Sequence, residues 1–87
     1  MSSEKARIFG RQLAAARELL NITQAQLAVL SGIQQPVIAR IESGTVEPRE
    51  STVAKLRETI DREGVEFTNG SNPGVRYKTD RASLRSS

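Results

Sequence analysis

Thr23-Gln24-Ala25-Gln26-Leu27-Ala28-Val29-Leu30-Ser31-Gly32-Ile33-Gln34-Gln35-Pro36-Val37-Ile38-Ala39-Arg40-Ile41-Glu42-Ser43-Gly44 is the stretch that decides the fold. Thr23 to Gln26 has the form of a capping box. A threonine at the N-cap accepts from the backbone three residues on, and a glutamine there reaches back to the cap. Ile22 stands where a hydrophobic staple residue would pack. The spacing predicts a short helix from Gln24 to about Leu30 that buries Leu27 and Ala28. Ser31-Gly32 ends it, because glycine adopts the positive φ that a tight turn requires. A second short helix is predicted from Gln35 to about Ser43. Pro36 falls in its first turn, where the N–H that proline lacks has no intrahelical partner anyway. Ile38 and Ile41 face the core, and Gly44 closes the helix at C′. Gly32 is expected where the two helices cross steeply and a Cβ would clash.

Flanking segments extend this pair. A helix is predicted from about Lys5 to Leu20, with Phe9, Leu13, Ala16 and Leu20 as one buried stripe. Gly10 is read as a weak point near its start, and Asn21 as its stop. The loop Thr45-Val46-Glu47-Pro48-Arg49 leads into another helix, from Glu50 or Ser51 to Glu63. Val53, Leu56 and Ile60 form its apolar face, and Arg57 and Asp61 form an i, i+4 pair on its outer side. Val65-Glu66-Phe67 and Val75-Arg76-Tyr77 each alternate with period two around a run of turn residues, Thr68 to Gly74. They read as two short strands of a hairpin. Thr79 to Ser87 has almost no apolar content and is expected to be a disordered basic tail. Val29 and Leu30 are more apolar than a surface helix needs, and Leu30 is expected to be half-buried.

Composition bounds the function. The chain has 87 residues, enough for one small domain whose core is marginal by itself. It holds no cysteine and no histidine, so the commonest metal ligands and the commonest general base are missing. No carboxylate pair, phosphate-cradling glycine loop or nucleophile elbow is present, and Asn69 to Gly74 lacks the lysine of a P-loop. The chain is therefore expected not to be an enzyme and to need no cofactor or metal. No apolar run approaches the ~18 residues of a membrane span, and the N-terminus lacks the apolar core of a signal peptide. A cytoplasmic protein is expected. Thirteen Lys and Arg oppose ten Asp and Glu, a net charge of +3 that permits nucleic acid as a partner. Arg76, Lys78, Arg81 and Arg85 collect at the end of the chain.

The run Thr-Gln-Ala-Gln-Leu-Ala-x-x-Ser-Gly-Ile-x-Gln-Pro-x-Ile-x-Arg-Ile-Glu-x-Gly resembles the Cro/C1-type (XRE-like) helix-turn-helix of phage repressors and restriction-modification controller proteins. The resemblance extends from about Phe9 to Ile60. The segment from Val65 through Asn-Gly-Ser-Asn-Pro-Gly-Val-Arg is similar to the ending of certain small bacterial single-domain regulators of that family. The resemblance implies that the start of the third helix enters the major groove. Gln34, Gln35, Ala39 and Arg40 would then face base edges, where Gln pairs with adenine and Arg with guanine. Pro36 would read shape or a thymine methyl. Arg40 has an alternative, a phosphate or the neighbourhood of Glu42. Gln24 would meet a phosphate at a helix N-terminus, and Ser43, Thr45 and Arg49 would contact the DNA backbone. Arg17 and Glu42 are implied to pair structurally between the first and third helices.

The expected fold is mainly α, with four or five helices in a phage-repressor-like domain and a short C-terminal β extension. Residues 1–64 form the DNA-binding domain, 65–78 the β extension and 79–87 the tail. Val65, Phe67, Val75 and Tyr77 either cover the end of the small core or form a dimer interface. The expected function is transcriptional regulation by a homodimer on a palindromic operator of double-stranded DNA, repressing by occupancy or activating through RNA polymerase. The alternative is an antitoxin-like module that sequesters a protein partner with its basic C-terminal arm. Without a separate ligand domain, control is expected through protein concentration or a partner rather than an effector.

Overall fold

The computed structural model describes residues 2–78; the predicted basic tail, with Arg81 and Arg85, lies outside them. The described residues form four helices, α1 (Glu4–Leu20), α2 (Gln24–Ser31), α3 (Gln35–Ser43) and α4 (Glu50–Arg62), then a hairpin of β1 (Val65–Thr68) and β2 (Gly74–Tyr77). The fold is mainly α with a short β extension, as the sequence implies.

Helix ends follow local chemistry. Ser3 caps α1 by accepting from the Ala6 amide at 3.0 Å, one residue earlier than expected. Asn21 ends α1 in the left-handed region at φ 57°. The capping box at Thr23 is complete in both directions, at 3.0 and 2.8 Å. Gly32, at φ 76°, needs its glycine for backbone reasons. A Cβ there would come no closer than 3.6 Å to the Lys55 side chain, so the expected clash is absent.

The close approach lies at Gly10 instead. It is buried in mid-helix, and a Cβ built on it would sit 2.1 Å from the Ile41 carbonyl oxygen. Gly10 is thus the point where α1 crosses α3, and not a fraying start. Gly10→Ala raises local helix propensity by about 1 kcal/mol, but the obstacle is backbone and cannot rotate away. The expected net effect is a loss of about 2 kcal/mol. Urea unfolding checks this, with a lower midpoint at unchanged slope.

Phe9, Leu13 and Ala16 of α1 join Leu27, Ile38, Ile41, Leu56, Ile60 and Val65 in one buried cluster. The hairpin closes one side of it. Its register pairs Val65 with Tyr77 and Phe67 with Val75, so these four share the face that packs on α1 and α4. Glu66 and Arg76 lie on the other face and pair at 2.6 Å. Gln12, buried on α1, donates to the carbonyls of Thr68 and Gly74 at 2.8 and 2.9 Å and pins the loop end of the hairpin.

The expected Arg57–Asp61 pair does not form. The Arg57 guanidinium carbon lies 5.6 and 5.2 Å from the ring centroids of Phe9 and Phe67, which stack on each other at 5.5 Å. Two ring faces hold the cation there, and Asp61 accepts from Lys78 at 3.1 Å. Val29 is 84% exposed and Leu30 40%, so Leu30 is less covered than expected.

Candidate nucleic-acid interface

Two helix N-termini and one loop build the candidate surface. Gln34 is the N-cap of α3, but its side chain makes no capping bond. Gln34, Gln35 and Pro36 are all exposed, as is Arg40 one turn on, while Ala39 is half-buried between them. Ile38 and Ile41, fully covered on the opposite side, fix which face of α3 turns outward. The result is a helix start that offers amide groups with no hydrogen bond to any described residue.

Behind it stands a three-way polar joint. Arg17 Nε and Nη2 each bond one oxygen of Glu42 at 2.7 Å, and Nη1 donates to the Ile22 carbonyl at 3.1 Å. The Gln24 side chain donates to the same Glu42 at 3.0 Å. One carboxylate therefore ties the end of α1, the start of α2 and the end of α3. The bonds to Glu42 raise the Arg17 pKa further, against a smaller opposing effect of burial. With its side chain turned inward, Gln24 offers a phosphate only its backbone N–H. That amide and the Ala25 amide have no intrahelical acceptor at the start of α2.

In the loop after α3, Ser43, Thr45 and Arg49 are all exposed, and the two hydroxyls also bond within the chain. Ser43 Oγ donates to the Arg40 carbonyl at 3.0 Å, and Thr45 Oγ1 lies 3.3 Å from the same oxygen. Both hydroxyls close the end of α3. Arg49, the exposed N-cap residue of α4, forms no ion pair with any described residue, and neither does Arg40. These two arginines line one groove beside α3, over Val37, Val46 and Pro48.

Sequence reasoning missed what happens to Glu47 in this loop. Its carboxylate accepts from the Ser3 amide at 2.8 Å and from Ser3 Oγ at 3.1 Å. Ser2 Oγ donates to the Gly44 carbonyl, and Arg7 holds the Ser2 carbonyl at 2.9 Å. The N-terminal residues thus strap the loop and engage Glu47, which itself lines the groove with Arg40 and Arg49. The Ser3 amide bond, then the Ser3 hydroxyl, lower the Glu47 pKa below the ordinary glutamate range. A lowered folded pKa means that the strap contributes fully above the unfolded value, about 4.3, and is lost as pH falls through the folded one. The Ser3 amide resonance is expected to move on acidification in step with Glu47, and to stay still in Glu47→Gln.

Of the four residues read as either core cover or dimer interface, Val65 has no exposed surface and Phe67 is held against Phe9 and Arg57. Val75 packs on the core. Tyr77, 42% exposed, donates its hydroxyl to the Leu19 carbonyl and is the most exposed of the four. Among the described residues, no group of acids, histidines or cysteines is placed to hold a metal, and no helix is long and apolar enough to cross a membrane.

A helix-turn-helix family profile matches residues 13–67. Over 46 residues, 53% of the chain, the sequence is 48% identical to an uncharacterised HTH-type transcriptional regulator of Haemophilus influenzae, covering 47% of that protein. Over 76 residues, 87% of the chain, it is 36% identical to an uncharacterised HTH-type transcriptional regulator of Sinorhizobium fredii, covering 39%. Over 53 residues, 60% of the chain, it is 43% identical to the HTH-type transcriptional repressor RghR of Bacillus subtilis, covering 39%. The chain spans less than half the length of these curated relatives.

Proposed function

Since the chain belongs to the XRE-like helix-turn-helix family, we propose that it is a sequence-specific DNA-binding transcriptional regulator that acts as a homodimer on a palindromic operator. The observation that carries this reading is the exposed start of α3. Gln34 and Gln35 present amides with no partner among the described residues, beside a groove carrying Arg40 and Arg49. Gln side chains suit adenine edges, and the arginines suit guanine or phosphate. The α2 N-terminus supplies a second phosphate contact through its backbone amides.

Two copies would place one α3 in each of two half-sites about 34 Å apart, one turn of B-DNA. The small core and the exposed Tyr77 favour pairing through the outer side of α4 and the hairpin. Repression then follows from occupying a promoter; the Bacillus subtilis relative is named a transcriptional repressor. Footprinting on DNA upstream of the gene, together with sedimentation, tests the proposal. Two protected half-sites one turn apart and a dimer at micromolar concentration are expected. A monomer that binds one per operator would contradict it.

A further inference from the structure

DNA binding leaves one built feature of the molecule without a role, the cleft between the first half of α1, the start of α4 and the hairpin loop. It is an open cleft of about 800 Å³, within the size range of small-molecule sites. Ile8 and Phe9 of α1, Val53 and Ala54 of α4, and Pro48 and Pro73 give it an apolar lining. Arg57 lines it too, three and four residues along α4 from Ala54 and Val53. Its guanidinium carbon lies over the rings of Phe9 and Phe67. Its N–H fork makes no hydrogen bond or ion pair with any described residue.

The other charged groups of the cleft are Glu4, Lys5, Glu47 and Glu50, and the acids already have tasks in the fold. Glu47 is bonded to Ser3. Glu4 and Glu50 stand in the first turns of α1 and α4, where the helix dipole favours a carboxylate. Glu50 lies seven residues from Arg57 along one helix, roughly 10 Å, which exceeds the Debye length of about 8 Å at physiological salt. The end of the cleft at Arg57 is therefore the end that accepts an anion. A planar fork with free donors above an apolar floor matches a carboxylate on an apolar body.

We propose that this cleft binds a small apolar monocarboxylate, its chain on Ile8, Val53 and Ala54 and its carboxylate on Arg57. On the DNA-binding reading, on which this consequence rests, the ligand is an effector. Glu47 and Pro48 form one wall of the cleft and belong to the loop that joins α3 to Arg49. Control by an effector would thus need no separate ligand domain.

The test is an NMR titration of the isotope-labelled protein with octanoate, and with octanamide as the neutral match; no DNA is present, so the result stands apart from the operator reading. Octanoate is expected to shift the Val53, Ala54 and Gly70 amides and the Arg57 Nε–H in one saturable transition. Octanamide is expected to bind roughly tenfold or more weakly. Arg57→Gln should erase the difference between the two ligands. Ala54 is exposed, so Ala54→Trp fills the cleft without disturbing the core and should abolish the shifts. Equal binding of acid and amide by the wild type, shifts elsewhere, shifts that survive Ala54→Trp, or no shifts at millimolar ligand would overturn the proposal. Octanoate that binds but leaves operator affinity unchanged would overturn the effector role alone.

Discussion

Glu42→Ala is expected to lower the unfolding free energy by roughly 3 kcal/mol, because it strips the shared acceptor from a joint of three helices. The Glu42 side chain is 7% exposed and that of Arg17 is 20%. Removal leaves a guanidinium without its carboxylate and the Gln24 amide without its acceptor. The partial exposure of Arg17 lets water enter, which places the loss at the low end of the range for a broken buried pair. In a domain this small the midpoint of thermal unfolding should fall by on the order of 15 °C. Glu58→Ala is the matched control. Its pair with Arg62 spans 3.4 Å with side chains 69% and 57% exposed, and its loss should change stability by less than about 0.5 kcal/mol. Similar losses in the two variants would show that the joint does not carry the packing of α3 on α1.

The second large effect concerns binding. Gln34→Ala/Gln35→Ala should fold like the wild type, since both side chains are exposed and neither caps α3. A bidentate side chain–base pair contributes about 1–3 kcal/mol of discrimination, and a dimer uses each glutamine twice. The preference for operator over scrambled DNA is expected to collapse by roughly a thousandfold. The slope of affinity against salt should remain, because in the proposed complex the phosphate contacts come from Arg40, Arg49 and the α2 amides and not from these glutamines. A variant that keeps its preference would remove these glutamines from base reading.

The four helices and the hairpin were legible because each has local punctuation. The capping box at Thr23, the left-handed stops at Asn21, Gly32 and Gly44, and the period-two runs around Asn69 to Pro73 all act within a few residues. What the sequence hid is long-range. Nothing near Gly10 announces that a carbonyl 31 positions later presses against it. Arg57 sits at an ideal spacing from Asp61, yet two phenyl rings from distant elements take it. Gln12 looks like a surface residue of an amphipathic helix, and its burial depends on where the hairpin carbonyls arrive. The candidate site divides along the same line. The exposed residues of α3 follow from its periodicity. The engagement of Gln24 by Glu42, and of Glu47 by Ser3, depends on partners that the local pattern does not specify.

The most direct test of the central claim is equilibrium binding of the purified chain to DNA from upstream of its own gene and to scrambled DNA of equal length, across a salt series. The account predicts a preference of roughly a thousandfold or more for the upstream DNA, with affinity for both falling as salt rises. Equal, weak binding to both at every salt concentration would contradict it, and would leave the exposed start of α3 as the surface of something other than a sequence reader.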